Sequence, residues 1–440
     1  MWSNSSGPEP VHCIDTKLDL TAEPVPPYGL IMEHERNLDR TASAARVGVR
    51  PTTDGGRRPI LSRPMILLLL ASIGSLGSFY LLLPVVPLLT ANGGAGGVGA
   101  GLATGALMLG TVLTEFAVPR LMGRYGYRAV IALGLFLLGA PALLLIASLS
   151  LPSVLAVCLL RGAGLGIVVV AGAALIAELV PAERRSEGLG LYGVAVGVPS
   201  IACLPLGLWV HAEFGHRPVL VAAAALSLLA LAAVPGLPGR SGPAGYPGGV
   251  LGALRIDGLA GPAFVFAAVT LAAGVLLTFL PLAVSDGSGR LAAVALLAQS
   301  CATPLARWLA GWYADRHGST RLLVPAVVSA ALGTAALVRV DSPVAVIAGM
   351  GLFGIGFGVA QNVTLAVMFE RVREADFGRV SALWNLAYDA GMGVGAVGFG
   401  LLAGPVGYPA GFALVALVLC AALLPAWRDQ RRAARALVTP

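Results

Sequence analysis

The sequence predicts an all-α integral membrane protein: twelve transmembrane helices arranged as two six-helix repeats, with both termini in the cytoplasm. Three observations predict it. The 440 residues are 57% hydrophobic and only 12% charged, with a mean hydropathy of +0.84, whereas soluble domains carry about 25% charged residues. Apolar runs long enough to cross a bilayer, about 20 residues each, recur along the whole chain. Arginines gather in every second connection between those runs.

Residues 1–63 stand apart. They are polar, rich in Pro and Ser, and lack the basic, apolar and small-residue order of a signal peptide. They read as a disordered cytoplasmic tail; a start at Met65, which opens the first apolar run, is the alternative. The first bundle covers residues 64–234, with spans at Pro64–Thr90, Gly99–Val118, Ala129–Ser148, Pro152–Val180, Gly188–Val210 and Pro218–Val234. A Gly/Pro-rich cytoplasmic linker follows at 235–258. The second bundle covers residues 259–427, with spans at Leu259–Val284, Leu291–Ala314, Leu322–Val340, Pro343–Phe369, Val380–Leu402 and Pro409–Trp427. A basic cytoplasmic tail, 428–440, closes the chain.

The arginines orient these spans. One set of connections holds Arg57, Arg58 and Arg63; Arg120, Arg124 and Arg128; Arg184 and Arg185; Arg240 and Arg255; Arg316 and Arg321; Arg371, Arg373 and Arg379; and Arg428, Arg431, Arg432 and Arg435. The other set, such as "ANGGAGG" and "SLSLPS", is nearly bare. Positive charge stays on the cytoplasmic side, so both termini lie there, in a multi-pass protein of the cell's inner (plasma) membrane. The glycines Gly351, Gly354 and Gly358 in the tenth span, and Gly391, Gly395 and Gly398 in the eleventh, mark faces where backbones approach closely.

Several function classes are excluded by pattern. The arginines form no continuous basic face for nucleic acid. Cys13, Cys158, Cys203, Cys301 and Cys420 have neither metal nor redox spacing and read as small packing residues. No HExxH and no GxxxxGK[ST] is present, and no extramembrane segment is large enough for a catalytic domain. The expectation is a carrier without enzymatic activity, metal or cofactor, in contact with lipid and a small-molecule substrate, and monomeric.

An internal repeat is visible. Laying "PRLMGRYGYR" after the second span over "GWYADRHGSTR" after the eighth aligns Gly126 with Gly318 and Arg124 with Arg316. Duplicated six-helix halves are what parallel-repeat transporters show. With these residues the chain resembles the major facilitator superfamily from about Pro64 to Trp427. Gly311-Trp312-Tyr313-Ala314-Asp315-Arg316-His317-Gly318 matches that family's GxLADRxG loop, "RGAGLGIVVVAG" resembles its RxxxGxG motif with Arg161 in the arginine position, and "GVPSIACLPLG" loosely resembles the glycine-proline motif of drug/proton antiporters. The likeness points to the bacterial drug/proton antiporter and arabinose-efflux-permease-like branch. It implies a gating loop made by Gly311, Asp315, Arg316 and Gly318. Gly123 stands where the first-half loop of the family carries aspartate. Asp315 with Arg316, Arg321 or Glu370, and Glu178 with Arg124 or Arg128, are then the expected cytoplasmic latches; ordinary interfacial charges are the alternative for Arg124 and Arg128.

Ionisable residues deep in a membrane are costly and point to function. Glu115, five residues before Arg120, and Glu178 and Glu370 read as near-surface, and Arg307 reads as snorkelling. Asp389 lies nine residues into the eleventh span, about 13 Å at 1.5 Å per residue. Arg161 lies at a similar depth in the fourth. Both are assigned to proton coupling, and a contact between them is one arrangement the spacing allows. A carboxylate there needs a cation, hydrogen bonds, water or a proton. A structural network with Asn385, or a bond to the tenth span, is the alternative. Asn385, Gln361, Asn362 and Gln299 are candidates for the substrate path, with Trp384, Tyr388, Phe79 and Tyr80 as aromatic walls. So apolar a path suits a neutral or amphipathic compound better than a phosphorylated sugar, which would need several arginines. The expected activity is proton-coupled export of small amphipathic or neutral compounds by alternating access, driven by the proton gradient; a sugar or metabolite uptake permease is the rival.

Overall fold

The structure is a computed structural model that describes residues 61–180, 185–239, 256, 258–284, 289–373 and 376–436. The expectations for most of the 1–63 tail, for most of the linker, and for Arg57, Arg58, Arg184, Arg240 and Arg255 fall outside them. Every regular element among the described residues is helical.

α1 (Arg63–Leu82) opens on Ser62, whose hydroxyl accepts from Met65 N at 3.4 Å and satisfies one of the amides a helix start leaves free. α2 (Val85–Thr90) extends it beyond Pro84. A π-helical turn at Ala91–Ala95 then leads into α3 (Gly96–Glu115). Gly94 and Gly96 make that turn with φ of 102° and 58°, values that glycine takes without steric penalty. α4 (Val118–Gly139), α5 (Leu144–Ala147), α6 (Leu151–Leu179), α7 (Arg185–Phe214) and α8 (His216–Ala230) follow. Beyond the linker come α9 (Ala260–Ala283), α10 (Arg290–His317), α11 (Leu323–Ala336), α12 (Pro343–Phe369), α13 (Phe377–Val406) and α14 (Tyr408–Ala436).

Ten segments among the described residues are long and apolar enough to cross a membrane. The expected first two spans fall together in one of them, residues 63–115, whose helices meet at the turn made by Gly94 and Gly96. The expected eighth span forms α10 but falls outside the ten; Gln299, Ser300, Thr303 and Arg307 interrupt its apolar run.

Packing pairs repeat along the chain. α1 packs on α7 and α8 as α9 packs on α13 and α14; α3 on α6 as α10 on α12; and α4 on α6 and α8 as α11 on α12 and α14. The bonds repeat in register with the Gly126–Gly318 alignment. Tyr127 Oη donates to Glu178 Oε1 at 2.7 Å, and Ser319 Oγ donates to Glu370 Oε1 at 2.7 Å, each across 51 residues. Thr111 Oγ1 donates to the Gly162 carbonyl at 3.1 Å, and Thr303 Oγ1 to the Gly354 carbonyl at 3.2 Å, again across 51 residues. Gly126 and Gly318 themselves have φ of 76° and 86°.

Two long helix pairings join the halves of the chain, α3 along α13 and α7 along α10, and α9 also meets α2 and α3, where the Thr104 and Thr278 hydroxyls lie 2.9 Å apart. One apolar cluster runs through this seam, from Leu76 on α1 to Ala426 on α14. Leu113, Leu229, Trp308, Val344 and Leu417 are each more than half exposed on the outside, a surface that suits hydrocarbon. The small residues act as expected at most positions. A Cβ on Gly354 would lie 2.7 Å from Gln299 O on α10, whereas Gly351 and Gly398 have open space beside them.

Candidate functional site

Asp389 is 7% exposed on α13. Its carboxyl group lies within electrostatic reach of that of Glu115, the last residue of α3. The backbone explains the meeting. A Cβ on Gly393 would lie 3.0 Å from Met108 Cβ, and one on Gly400 would lie 2.7 Å from the Gly97 carbonyl. Glycine lets α3 and α13 approach until their polar ends meet. Among the described residues, Asp389 thus has Glu115 as its charged neighbour across the seam and makes no hydrogen bond to Asn385 or α12. Glu115, expected near the surface, belongs to the site.

Arg161 does not meet Asp389. It is 1% exposed inside the first half, where Nη1 donates to Leu138 O at 2.6 Å and Nη2 to Ser78 O at 3.0 Å. Its head ties α6 to α4 and α1. Main-chain carbonyls take its two terminal nitrogens, while Nε has no partner among the described residues, so in place of the contact with Asp389 that the spacing allowed, Arg161 braces the first half.

Arg307 is the residue that sequence reasoning misplaced. Its Nη1 donates to Gln361 Oε1 on α12 at 3.4 Å, and Tyr80 of α1 and Tyr388 of α13 lie within its electrostatic reach. It therefore faces the seam rather than snorkelling outward. Tyr388 lies within electrostatic reach of both Arg307 and Asp389.

The expected path residues divide. Gln361 and Tyr388 face Arg307. Trp384 stacks on Phe266 with centroids 4.4 Å apart and donates Nε1–H to Thr364 Oγ1 at 3.1 Å. Tyr388 lies 6.0 Å from Phe266 and 6.2 Å from Phe357, so the aromatic wall is present on α13. Phe79 is buried beside Tyr80, with centroids 4.9 Å apart. Gln299 is buried within α10, where its Nε2 donates to Thr303 Oγ1 at 3.2 Å. Asn362 turns toward Gly311 on α10, and Asn385 is half-buried.

The expected latches take other partners. Glu178 accepts from Tyr127, not from Arg124 or Arg128, and Glu370 accepts from Ser319. Arg128 Nε donates to Leu237 O. Arg124 lies over the Tyr125 ring at 5.3 Å. Arg316 donates to Trp312 O at 2.9 Å and lies 4.1 Å over that residue's ring. Asp315 and Gly123 are exposed. Each arginine finds local carbonyls and rings, which outcompete a distant, solvated carboxylate. Among the described residues, no group of three His, Cys, Asp or Glu side chains could hold a metal ion.

The model of the Major Facilitator Superfamily matches residues 68–338 and 262–440. No curated protein matches in sequence. Solved structures match closely in fold. A bacterial homolog of the human lysosomal transporter Spinster, inward-facing and unoccupied, has a TM-score of 0.70 at 15% identity, over 86% of this chain and 98% of that one. A D-xylose–proton symporter has 0.69 at 14% identity, over 83% and 96%. A point mutant of the nucleoside transporter NupG has 0.66 at 13% identity, over 82% and 99%. At such identities the likeness is one of fold.

Proposed function

We propose that this chain, which belongs to the Major Facilitator Superfamily, is a secondary active transporter that exports small amphipathic or neutral compounds in exchange for protons. It is a multi-pass membrane protein with that family's fold. On this reading twelve helices span the plasma membrane: α1 with α2, α4 with α5, and each remaining long helix count once. They form bundles at 64–234 and 259–427, both termini lie in the cytoplasm, and the monomer transports alone. The likeness to drug/proton antiporters and arabinose-efflux-like proteins supports export, and the proton gradient supplies the energy.

One observation carries the proposal: the approach of the Glu115 and Asp389 carboxyl groups across the α3–α13 seam. Two carboxyl groups brought together inside a protein favour holding a proton, because like charges so close disfavour double ionisation. When α3 and α13 separate, each group meets water and that proton can leave. Seam opening and proton release are then one event, which is what coupling by alternating access requires. In the described state the helices touch where α3 begins and α13 ends, through Gly97 and Gly400, and Arg290 pairs with Glu213 at 2.8 Å at the matching end of α7 and α10. By the arginine bias these are external contacts.

The test is growth protection of a pump-deficient host across a chemically diverse panel, followed by transport of a protecting compound in inverted vesicles. Accumulation inside inverted vesicles that falls with collapse of the proton gradient supports export. Accumulation in right-side-out vesicles instead would favour the uptake permease.

A further inference from the structure

Arg307 is the charged group of the seam that proton exchange leaves unused. It lies ten residues before the end of α10, about 15 Å along the helix and so near mid-membrane. Its recorded bond goes to the neutral Gln361 Oε1, and none of the ion pairs among the described residues includes it. The side chain is exposed, yet Gln361 of α12 meets its head, and Tyr80 of α1 and Tyr388 of α13 lie within its electrostatic reach. A cation at this depth without a counter-ion is costly and persists where it borders a cavity.

We propose that Arg307 seats the carboxylate of the substrate, so that the transported class is small apolar molecules carrying one carboxylate. The guanidinium presents parallel N–H donors that match a carboxylate two-to-two. A single positive charge balances a single negative one, whereas a phosphate dianion would call for further cations. Tyr80 and Tyr388 lie within electrostatic reach of the same guanidinium. Trp384 and Tyr388, backed by the buried Phe266 and Phe357, form an apolar wall for the rest of the molecule. The inference rests on the seam being the transport path, and it narrows that path's cargo from amphipathic compounds in general to amphipathic carboxylates.

The test measures binding without any gradient, so it does not depend on coupling. Full-length protein in nanodiscs is incubated with an equimolar mixture of phenylalkanoates, from phenylacetate to phenylhexanoate, and their primary amides. Retained compounds are read by mass spectrometry. Wild-type protein should retain carboxylates about tenfold over amides, which corresponds to one decade of affinity. Arg307→Gln should lose that preference and Arg307→Lys should keep part of it. Gln361→Glu, which places a carboxylate of the protein itself against Arg307, should lose it without removing the arginine, and so decides the matter if Arg307→Gln fails to fold. Failure of wild-type protein to retain carboxylates above amides would overturn the proposal, as would an undiminished preference in Arg307→Gln or Gln361→Glu. Loss of the preference in Arg307→Gln together with gradient-driven transport that survives in Asp389→Asn would support the seat and contradict the coupling.

Discussion

Glu115 and Asp389 stand on helices from opposite halves of the chain and bring their carboxyl groups within electrostatic reach of each other where α3 runs along α13. The contact depends on glycine on both helices: Gly97 and Gly101 on α3 face Ala396 and Gly400 on α13. A proton site is thereby built onto a sliding surface, and movement of either helix changes what the carboxyl groups touch.

Arg161 is expected to be structural. Arg161→Met removes two hydrogen bonds from a charged donor, each worth about 1.5–3 kcal/mol in general and less in membrane proteins, where the average is about 0.6. The melting temperature should fall while protein that stays folded keeps its ratio of protons to substrate. Unchanged melting with loss of uphill transport would return Arg161 to the coupling path.

The seam should be trappable. Gly97→Cys with Gly400→Cys, with native cysteines removed, places two thiols where the backbones touch. Oxidation should cross-link them and arrest transport, and reductant should restore it. Free cycling with the bond formed would show that α3 and α13 do not part.

Asp315 is exposed at the end of α10, and the family's loop motif surrounds it. Asp315→Asn should leave stability within about 0.5 kcal/mol of wild type, as for surface changes generally, yet slow turnover. Gly123→Asp, at a position with open space beside it, should be tolerated or slow the cycle. Wild-type turnover in Asp315→Asn removes the latch.

Much of this was legible in the residues. Span-length apolar runs and alternating arginines require helices in lipid, because backbone groups there must bond internally. The Gly126–Gly318 alignment predicted the repeat that the Tyr127–Glu178 and Ser319–Glu370 bonds display. The site was half legible. Depth singled out Asp389, but depth is measured along one helix and says nothing of its neighbour. Glu115 looked peripheral because Arg120 follows it, and Arg307 looked peripheral because it sits in the cytoplasmic half of its span. The repeat held the missing signal: the register that lays Gly126 on Gly318 also lays Glu115 on Arg307, two opposite charges at equivalent depths in the two halves. Arg161 misled because burial alone does not tell a carbonyl-satisfied brace from a counter-ion.

Topology has a direct check. Asn92 lies in the turn before α3 and Arg432 near the end of α14, and both are exposed. Cysteine at position 92, but not at 432, should react with a membrane-impermeant thiol reagent on intact cells lacking native cysteines. The reverse pattern would invert the protein.

The central claim is that the Glu115–Asp389 pair carries the exchanged proton. The most direct measurement is accumulation of a protecting compound in proteoliposomes with an imposed pH difference, beside counterflow without one. Asp389→Asn and Glu115→Gln each keep the shape of a protonated acid and cannot release its proton. The account predicts that each variant retains counterflow and loses accumulation against the gradient. If both variants still concentrate the compound when the pH difference is applied, the proton travels elsewhere and the pair only holds the seam together.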